Sequence, residues 1–165
     1  MSRFQTQLKD SLPHLWRYAY SLTRDSYRAD DLVQDCVERA LRKKSQWDST
    51  RGLKPWLMTI LLNLFRDRYR AQVAEVAFVE DYVGGAEDTR WEDRAKLREV
   101  VQRLHSLPEG QRQALQLVAF GGLSYAEVSD VLGVPIGTVL SRVARARASL
   151  SEVREHRKPE LRSVK

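Results

Sequence analysis

Five residues near the C-terminal end, Thr138, Ser141, Arg142, Arg145 and Ser149, combine short hydroxyls with arginines. On a helix advancing about 100° per residue they cluster on one side, and Val139, Val143, Ala146 and Leu150 fall on the other. Arginine can bridge guanine O6 and N7, and serine or threonine can reach a base or a phosphate. An apolar back with a short polar front therefore suits the DNA major groove. The competing reading of the same residues is a helical hairpin whose arginines are merely solvated. A second set, Asp31, Gln34, Asp35 and Glu38, forms a carboxylate-rich stripe. Paired carboxylates can do acid–base chemistry, but no partner base, histidine or second carboxylate cluster supports that here. His14, His105 and His156 are scattered without zinc-ligand spacing. No phosphate-cradling glycine loop or nucleophile motif occurs. The residues thus describe a chain with no catalytic site, no metal and no cofactor.

The elements that must position these groups are helices. Leu12, Leu15, Trp16, Ala19 and Leu22 recur at helical spacing. Val33, Cys36, Val37, Ala40 and Leu41 line one face of a helix starting near Ala29, with the acidic stripe on its far side. Leu53, Trp56, Leu57, Ile60, Leu61 and Leu64 make a broad apolar face. Leu97, Val100, Val101 and Leu104 precede a break at Leu107-Pro108; Leu115, Val118 and Ala119 follow, and Gly121-Gly122 ends that helix. Ser124 and Glu127 have the S-x-x-E spacing of a capping box. Gly133 supplies a turn that tolerates positive φ, and Pro135 suits the first turn of the next helix. No stretch alternates as a strand, so the fold class is all-α.

Charge divides the chain. Residues 1–71 carry net +6, residues 72–93 net −6 and residues 94–165 net +6. This pattern describes two small helical domains, 1–71 and 94–155, joined by an acidic linker, 72–93, and followed by a basic tail, 156–165, expected to be disordered. A flexible linker would leave the spacing of the halves unset until a partner holds them. The basic balance suits a polyanionic partner, and equally solubility alone. The single cysteine, Cys36, excludes an internal disulfide and reads as a small buried hydrophobe. Met1 to Leu12 has no apolar signal core, and the longest apolar run, Trp56 to Phe65, is too short to span a bilayer. The expected setting is reducing and cytoplasmic, without membrane insertion.

Two motif sets carry a family resemblance. Leu107-Pro108-Glu109-Gly110-Gln111-Arg112, Gly122-Leu123-Ser124-Tyr125-Ala126-Glu127-Val128 and Leu132-Gly133-Val134-Pro135-Ile136-Gly137-Thr138-Val139-Leu140-Ser141-Arg142 resemble region 4 of sigma-70-type factors, most of all the extracytoplasmic-function (group IV) class. Independently, Ala29-Asp30-Asp31-Leu32-Val33-Gln34-Asp35 resembles region 2.2 of that class. Lys54-Pro55-Trp56-Leu57-Met58-Thr59-Ile60, with Asn63, Arg66, Asp67 and Arg70, resembles regions 2.3 and 2.4.

The resemblance implies a sigma factor that binds core RNA polymerase, directs it to the -35 and -10 elements of promoter DNA and helps melt them, in a stress or signal response. Polymerase supplies the chemistry. By resemblance, Asp31, Leu32, Gln34, Asp35 and Glu38 dock on the clamp helices of the largest polymerase subunit. Thr138, Ser141, Arg142, Arg145 and Ser149 read the -35 duplex. Ser49, Thr50, Arg51, Thr59, Asn63, Arg66 and Arg70 capture the melted -10 strand, with a base flipped near the 49–52 loop. Trp47 could stack on a base there, whereas Trp56 falls on the apolar stripe and reads as core. The linker would thread toward the active centre and the RNA exit path. An anti-sigma factor is expected to hold the protein inactive, and the free chain is expected to be a monomer. One departure stands out: the family commonly has a lysine where this chain has Leu140. Placed on the flank of the groove face, Leu140 implies one fewer phosphate contact or a changed base preference. The rivals are a two-domain regulator with an N-terminal sensor, which would not co-purify with core polymerase, and a nucleic-acid enzyme, for which no motif is present.

Overall fold

Local capping chemistry sets where the helices begin. Ser2 and Gln5 form a reciprocal capping box ahead of α1 (Arg3–Thr23). Arg24 then turns the chain in the left-handed region at φ 58°, and Asp25 accepts from the Arg28 N–H at 3.0 Å to start α2 (Ser26–Arg42). This helix therefore begins three residues before the start its apolar face suggests, because a cap rather than a stripe residue defines its end. A short 3₁₀ turn (Lys44–Gln46) leads to α3 (Leu53–Gln72). The C-terminal group comprises α4 (Trp91–Leu104), α5 (Glu109–Ala119), α6 (Tyr125–Leu132) and α7 (Ile136–Glu155). The structure, a computed structural model, describes residues 1–72 and 91–155. Most of the acidic linker and the basic tail lie outside the described residues. Among the described residues there is no strand, and the fold is all-α.

The first three helices close around Leu15, Tyr18 and Ala19 of α1, Leu32, Cys36 and Ala40 of α2, and Leu57, Met58 and Leu61 of α3, all essentially inaccessible. Burying each large aliphatic side chain contributes about 1.5–3 kcal/mol. Cys36 is part of this core, with its Sγ 3.4 Å from the Leu57 carbonyl. Burial disfavours the thiolate and pushes its thiol up to about 12. In the C-terminal group, α7 packs Val139, Val143 and Ala146 against α5 and α6 around Leu115, Leu117 and Val128.

The two groups also pack on each other, α3 against α6 and α1 against α5. Near the C-terminal end of α1 the Ser21 carbonyl accepts from Gln116 Nε2 at 2.9 Å and lies 2.8 Å from His105 Nε2. A carbonyl only accepts, so this contact places the imidazole proton on Nε2. Gln116 is 1% exposed. Gly122, at φ +63°, lies beneath His14: a Cβ there would come within 2.7 Å of the imidazole and 3.2 Å of Lys54 Nζ. The left-handed backbone favours glycine there, and a Cβ would have to displace the imidazole. Buried polar and apolar contacts, and not the linking segment alone, thus hold the two groups together in this structure.

These contacts carry a measurable stability. Gln116→Ala is expected to lower the unfolding free energy by about 1–3 kcal/mol, because it removes a buried hydrogen bond and leaves a void. Urea denaturation of the full chain reads this directly, and a change of only a few tenths would mean the halves do not depend on the contact.

Candidate nucleic-acid interface

The helix-turn-helix is built as its residues require. Ser124 Oγ accepts from the Glu127 N–H at 3.2 Å, and Glu127 Oε1 accepts from the Ser124 N–H at 2.9 Å. Gly133 ends α6 in the left-handed region at φ +66°. The Ser129 hydroxyl donates to the Val134 carbonyl at 2.6 Å across the turn. Pro135 sits one residue ahead of α7, and its carbonyl accepts from the Thr138 and Val139 N–H groups.

The solvent face of α7 differs from the stripe read in the sequence. Ile136, Gly137, Leu140, Ser141, Ala144 and Arg145 are exposed, whereas Thr138, Arg142 and Ser149 are half-buried along one flank. Leu140 is 47% exposed, on the same side of the helix as Ile136 and Ala144. The difference comes from packing: the apolar stripe fixes the rotation of a helix only to within about one residue, and seating between α5 and α6 decides the remainder. Arg142 lies over the start of α5, its guanidinium carbon 3.2 Å from where a Gly110 side chain would begin. Arg145 is free to reach outward, and the exposed Arg147 lies 3.4 Å from the Tyr125 hydroxyl.

On the N-terminal group, Asp48 organises the polar loop. Its Oδ1 accepts from the Thr50 N–H at 2.9 Å and the Thr50 hydroxyl at 2.7 Å, which holds its carboxyl below the ordinary range. Ser49, Thr50 and Arg51 are exposed. Gln7 Oε1 accepts from the Leu53 N–H at 3.1 Å, tying the start of α3 to α1. Along α3, Thr59 is half-buried and donates to the Pro55 carbonyl, while Asn63 and Arg66 are exposed. Arg70 lies on α3, and its side chain is outside the described residues. These positions do not share one open surface. Arg51 and Thr59 line a cleft of about 660 Å³ that also contains Glu127 and Asp130 of α6. Arg66 lines a separate cleft of about 540 Å³ with Glu109, Arg112 and Gln116 of α5. Trp47 packs edge-on against Phe4 at 5.6 Å, and its buried indole N–H has no protein acceptor. Trp56 is half-buried against the core and lines the larger cleft.

On α2, Asp31, Gln34 and Glu38 are exposed. Asp35 is half-buried and forms an ion pair with Arg68 of α3, a partner the sequence does not announce. Leu32 is 1% exposed in the core, so its assignment to a docking surface is corrected: it holds α2 in place and offers nothing to a partner. No group of three or more His, Cys, Asp or Glu suited to a metal occurs among the described residues. No described helix is long and apolar enough to cross a membrane.

A helix-turn-helix with an arginine-bearing solvent face defines a DNA-binding protein. Residues 8–75 match the family described as sigma-70 region 2, and residues 97–150 match that described as sigma-70, region 4. The chain is 39% identical over 146 residues to the ECF RNA polymerase sigma factor EcfG of Rhodopseudomonas palustris, covering 86% of this chain and 79% of that protein. It is 30% identical to SigM of Bacillus subtilis, covering 82% and 85% respectively. Among solved structures it resembles the sigma factor RpoE of Bartonella quintana, crystallised with the anti-sigma factor NepR, with a TM-score of 0.78, 33% identity and coverage of 94% and 98%. CnrH, solved with the cytosolic domain of CnrY, gives 0.72, 29%, and 93% and 88%. The chain belongs to the sigma-70 family, in its extracytoplasmic-function class. It is a promoter-directing, non-catalytic specificity subunit of RNA polymerase.

Proposed function

We propose that promoter recognition is divided between the two helical groups, residues 1–71 and 94–155, with the acidic segment 72–93 spanning them inside polymerase. The observation that carries this reading is the contrast between their surfaces. The exposed face of α7 is a convex helix suited to a duplex groove, with Ser141 and Arg145 toward the -35 bases and Thr138, Arg142 and Ser149 along its flank. The 49–52 loop and the α3 edge, with Thr59, Asn63, Arg66 and Arg70, suit unstacked bases and phosphates of the melted -10 strand. Asp31, Gln34, Asp35 and Glu38 form the docking stripe for core polymerase. The protein acts in the cytoplasm, where polymerase and promoter meet.

The packed arrangement is the free form in this reading. Glu127 Oε2 comes within 3.9 Å of the position a Gly52 side chain would take. A phosphate entering beside Arg51 would meet the α6 carboxylates, so α6 must leave α3 before the -10 strand can bind. An anti-sigma factor that clasps both groups would hold this closed form; the similarity to sigma factors solved in anti-sigma complexes supports that partner.

Asn63→Ala is the decisive variant, because Asn63 is exposed and bears no core contact. With core polymerase, open-complex formation, read by permanganate reactivity of melted thymines, is expected to fall about tenfold while closed-complex binding stays near wild type, as loss of a polar contact to an exposed base of about 1–3 kcal/mol implies. Equal loss at both stages would show that Asn63 does not read the melted strand.

A further inference from the structure

We infer that the recognition helix reads thymine methyl groups through an apolar ridge, with Leu140 as the residue that sets specificity. The inference rests on the proposal that α7 enters the -35 major groove. Ile136 and Leu140 are 48% and 47% exposed, among the few large hydrophobic side chains on the described surface. They stand four residues apart, hence one above the other on the helix, and exposed Ala144 continues the row. The ridge occupies the N-terminal half of α7, the part of a recognition helix that meets base edges. Gly137 beside it has open space where a side chain would begin, so the backbone there can approach closely.

The polar groups of this half leave the ridge as the principal base-facing surface. Arg142 is laid over Gly110 at the start of α5, and Thr138 is half-buried. The Ser141 hydroxyl donates to the Thr138 carbonyl at 3.0 Å, which uses its proton and leaves it an acceptor. Ser141 in this state suits the N–H edge of cytosine or adenine, and Arg145 suits guanine. Thymine alone among the bases shows the major groove a methyl group, which is apolar. An aliphatic ridge flanked by Ser141 and Arg145, on a helix face that continues into Arg145 and Arg147, matches a duplex in which thymine lies beside a hydrogen-bonding base pair. The cationic flank commits the ridge to a polyanion and argues against an apolar protein groove as its occupant.

Full-length protein assembled with core polymerase is used to select duplexes from a pool randomised across the -35 element. Each thymine of the selected duplex is then replaced in turn by deoxyuridine, which differs only in lacking the methyl. At one or two positions this replacement is expected to weaken wild-type binding about fourfold, the value of one buried methyl. Leu140→Ala is expected to bind the thymine and deoxyuridine duplexes alike at its position, and Ile136→Ala to lose methyl sensitivity at a different one. Both side chains are exposed, so thermal unfolding should match wild type and confirm that the variants fold. Absence of any deoxyuridine effect in the wild type, or an undiminished effect in Leu140→Ala, overturns the inference. Arg145→Ala separates this from the underlying proposal. If it weakens -35 binding while deoxyuridine is without effect, only the methyl reading fails. If neither it nor Arg142→Ala weakens -35 binding, α7 is not in the groove and both fail. Loss of anti-sigma binding by Leu140→Ala without any methyl effect would make the ridge a protein-docking surface and also overturns the inference.

Discussion

Arg145→Ala is expected to weaken binding of the polymerase complex to -35 DNA by about 1–3 kcal/mol, roughly 5- to 150-fold, and to relax base preference at one position. Arg145 stands on the exposed face of α7, so its loss should leave stability within about 0.5 kcal/mol of wild type. Arg142→Ala should behave differently. Its guanidinium is held over Gly110, at the start of α5 and to one side of the exposed face of α7. From there it can meet a phosphate, so all sequences should weaken alike and the salt slope should fall by about one. Competition titrations at two salt concentrations, with cognate and scrambled duplexes, distinguish the two. A uniform loss from Arg145→Ala would assign it to the backbone, and no loss from either variant would remove α7 from the interface.

Reversing charge on the α2 stripe should have the larger effect. Asp31→Lys with Glu38→Lys replaces two surface carboxylates, and like charges brought together at an interface cost several kcal/mol. Core polymerase binding should therefore fall by two orders of magnitude or more. Helical circular dichroism should be unchanged, because neither side chain is buried. Asp35 is a poorer target: reversing its charge would set two cations against each other where it now pairs with Arg68, and a binding defect could then arise from a displaced α3. Normal polymerase binding by the Asp31/Glu38 double variant would sink the docking assignment. Arg68→Ala in the same assay would free Asp35 and reports whether that carboxylate also contributes.

Much of this protein is legible in its sequence because the signals are local. The capping box at Ser124, the left-handed Gly133 and the apolar row Val139, Val143 and Ala146 each depend on residues within two turns of one another. They therefore state a helix-turn-helix without reference to the remainder of the chain. Cys36 likewise declares its burial by its place in an apolar row. The start of α2 is not legible in the same way, because Asp25 acts through one hydrogen bond to the Arg28 N–H, and periodicity carries no trace of a cap.

The residues assigned by stripe alone fare unevenly, and for one reason. Leu32 belongs to the same motif as the surface carboxylates of α2, yet its own side chain points into the bundle. Thr138, Arg142 and Ser149 are half-buried although the stripe points them outward, because α5 and α6 determine how α7 rotates. Residue types and spacing determined that this chain is all-α, carries a helix-turn-helix and joins two basic groups through an acidic segment. Only the tertiary structure decided that those groups close on each other. Gln116 and His105 meet the Ser21 carbonyl, Glu127 and Asp130 face Arg51 and Thr59, and Arg68 takes Asp35, across sequence separations that no periodicity spans. Such contacts depend on where whole helices come to rest, and that is set by the fit of many buried side chains at once.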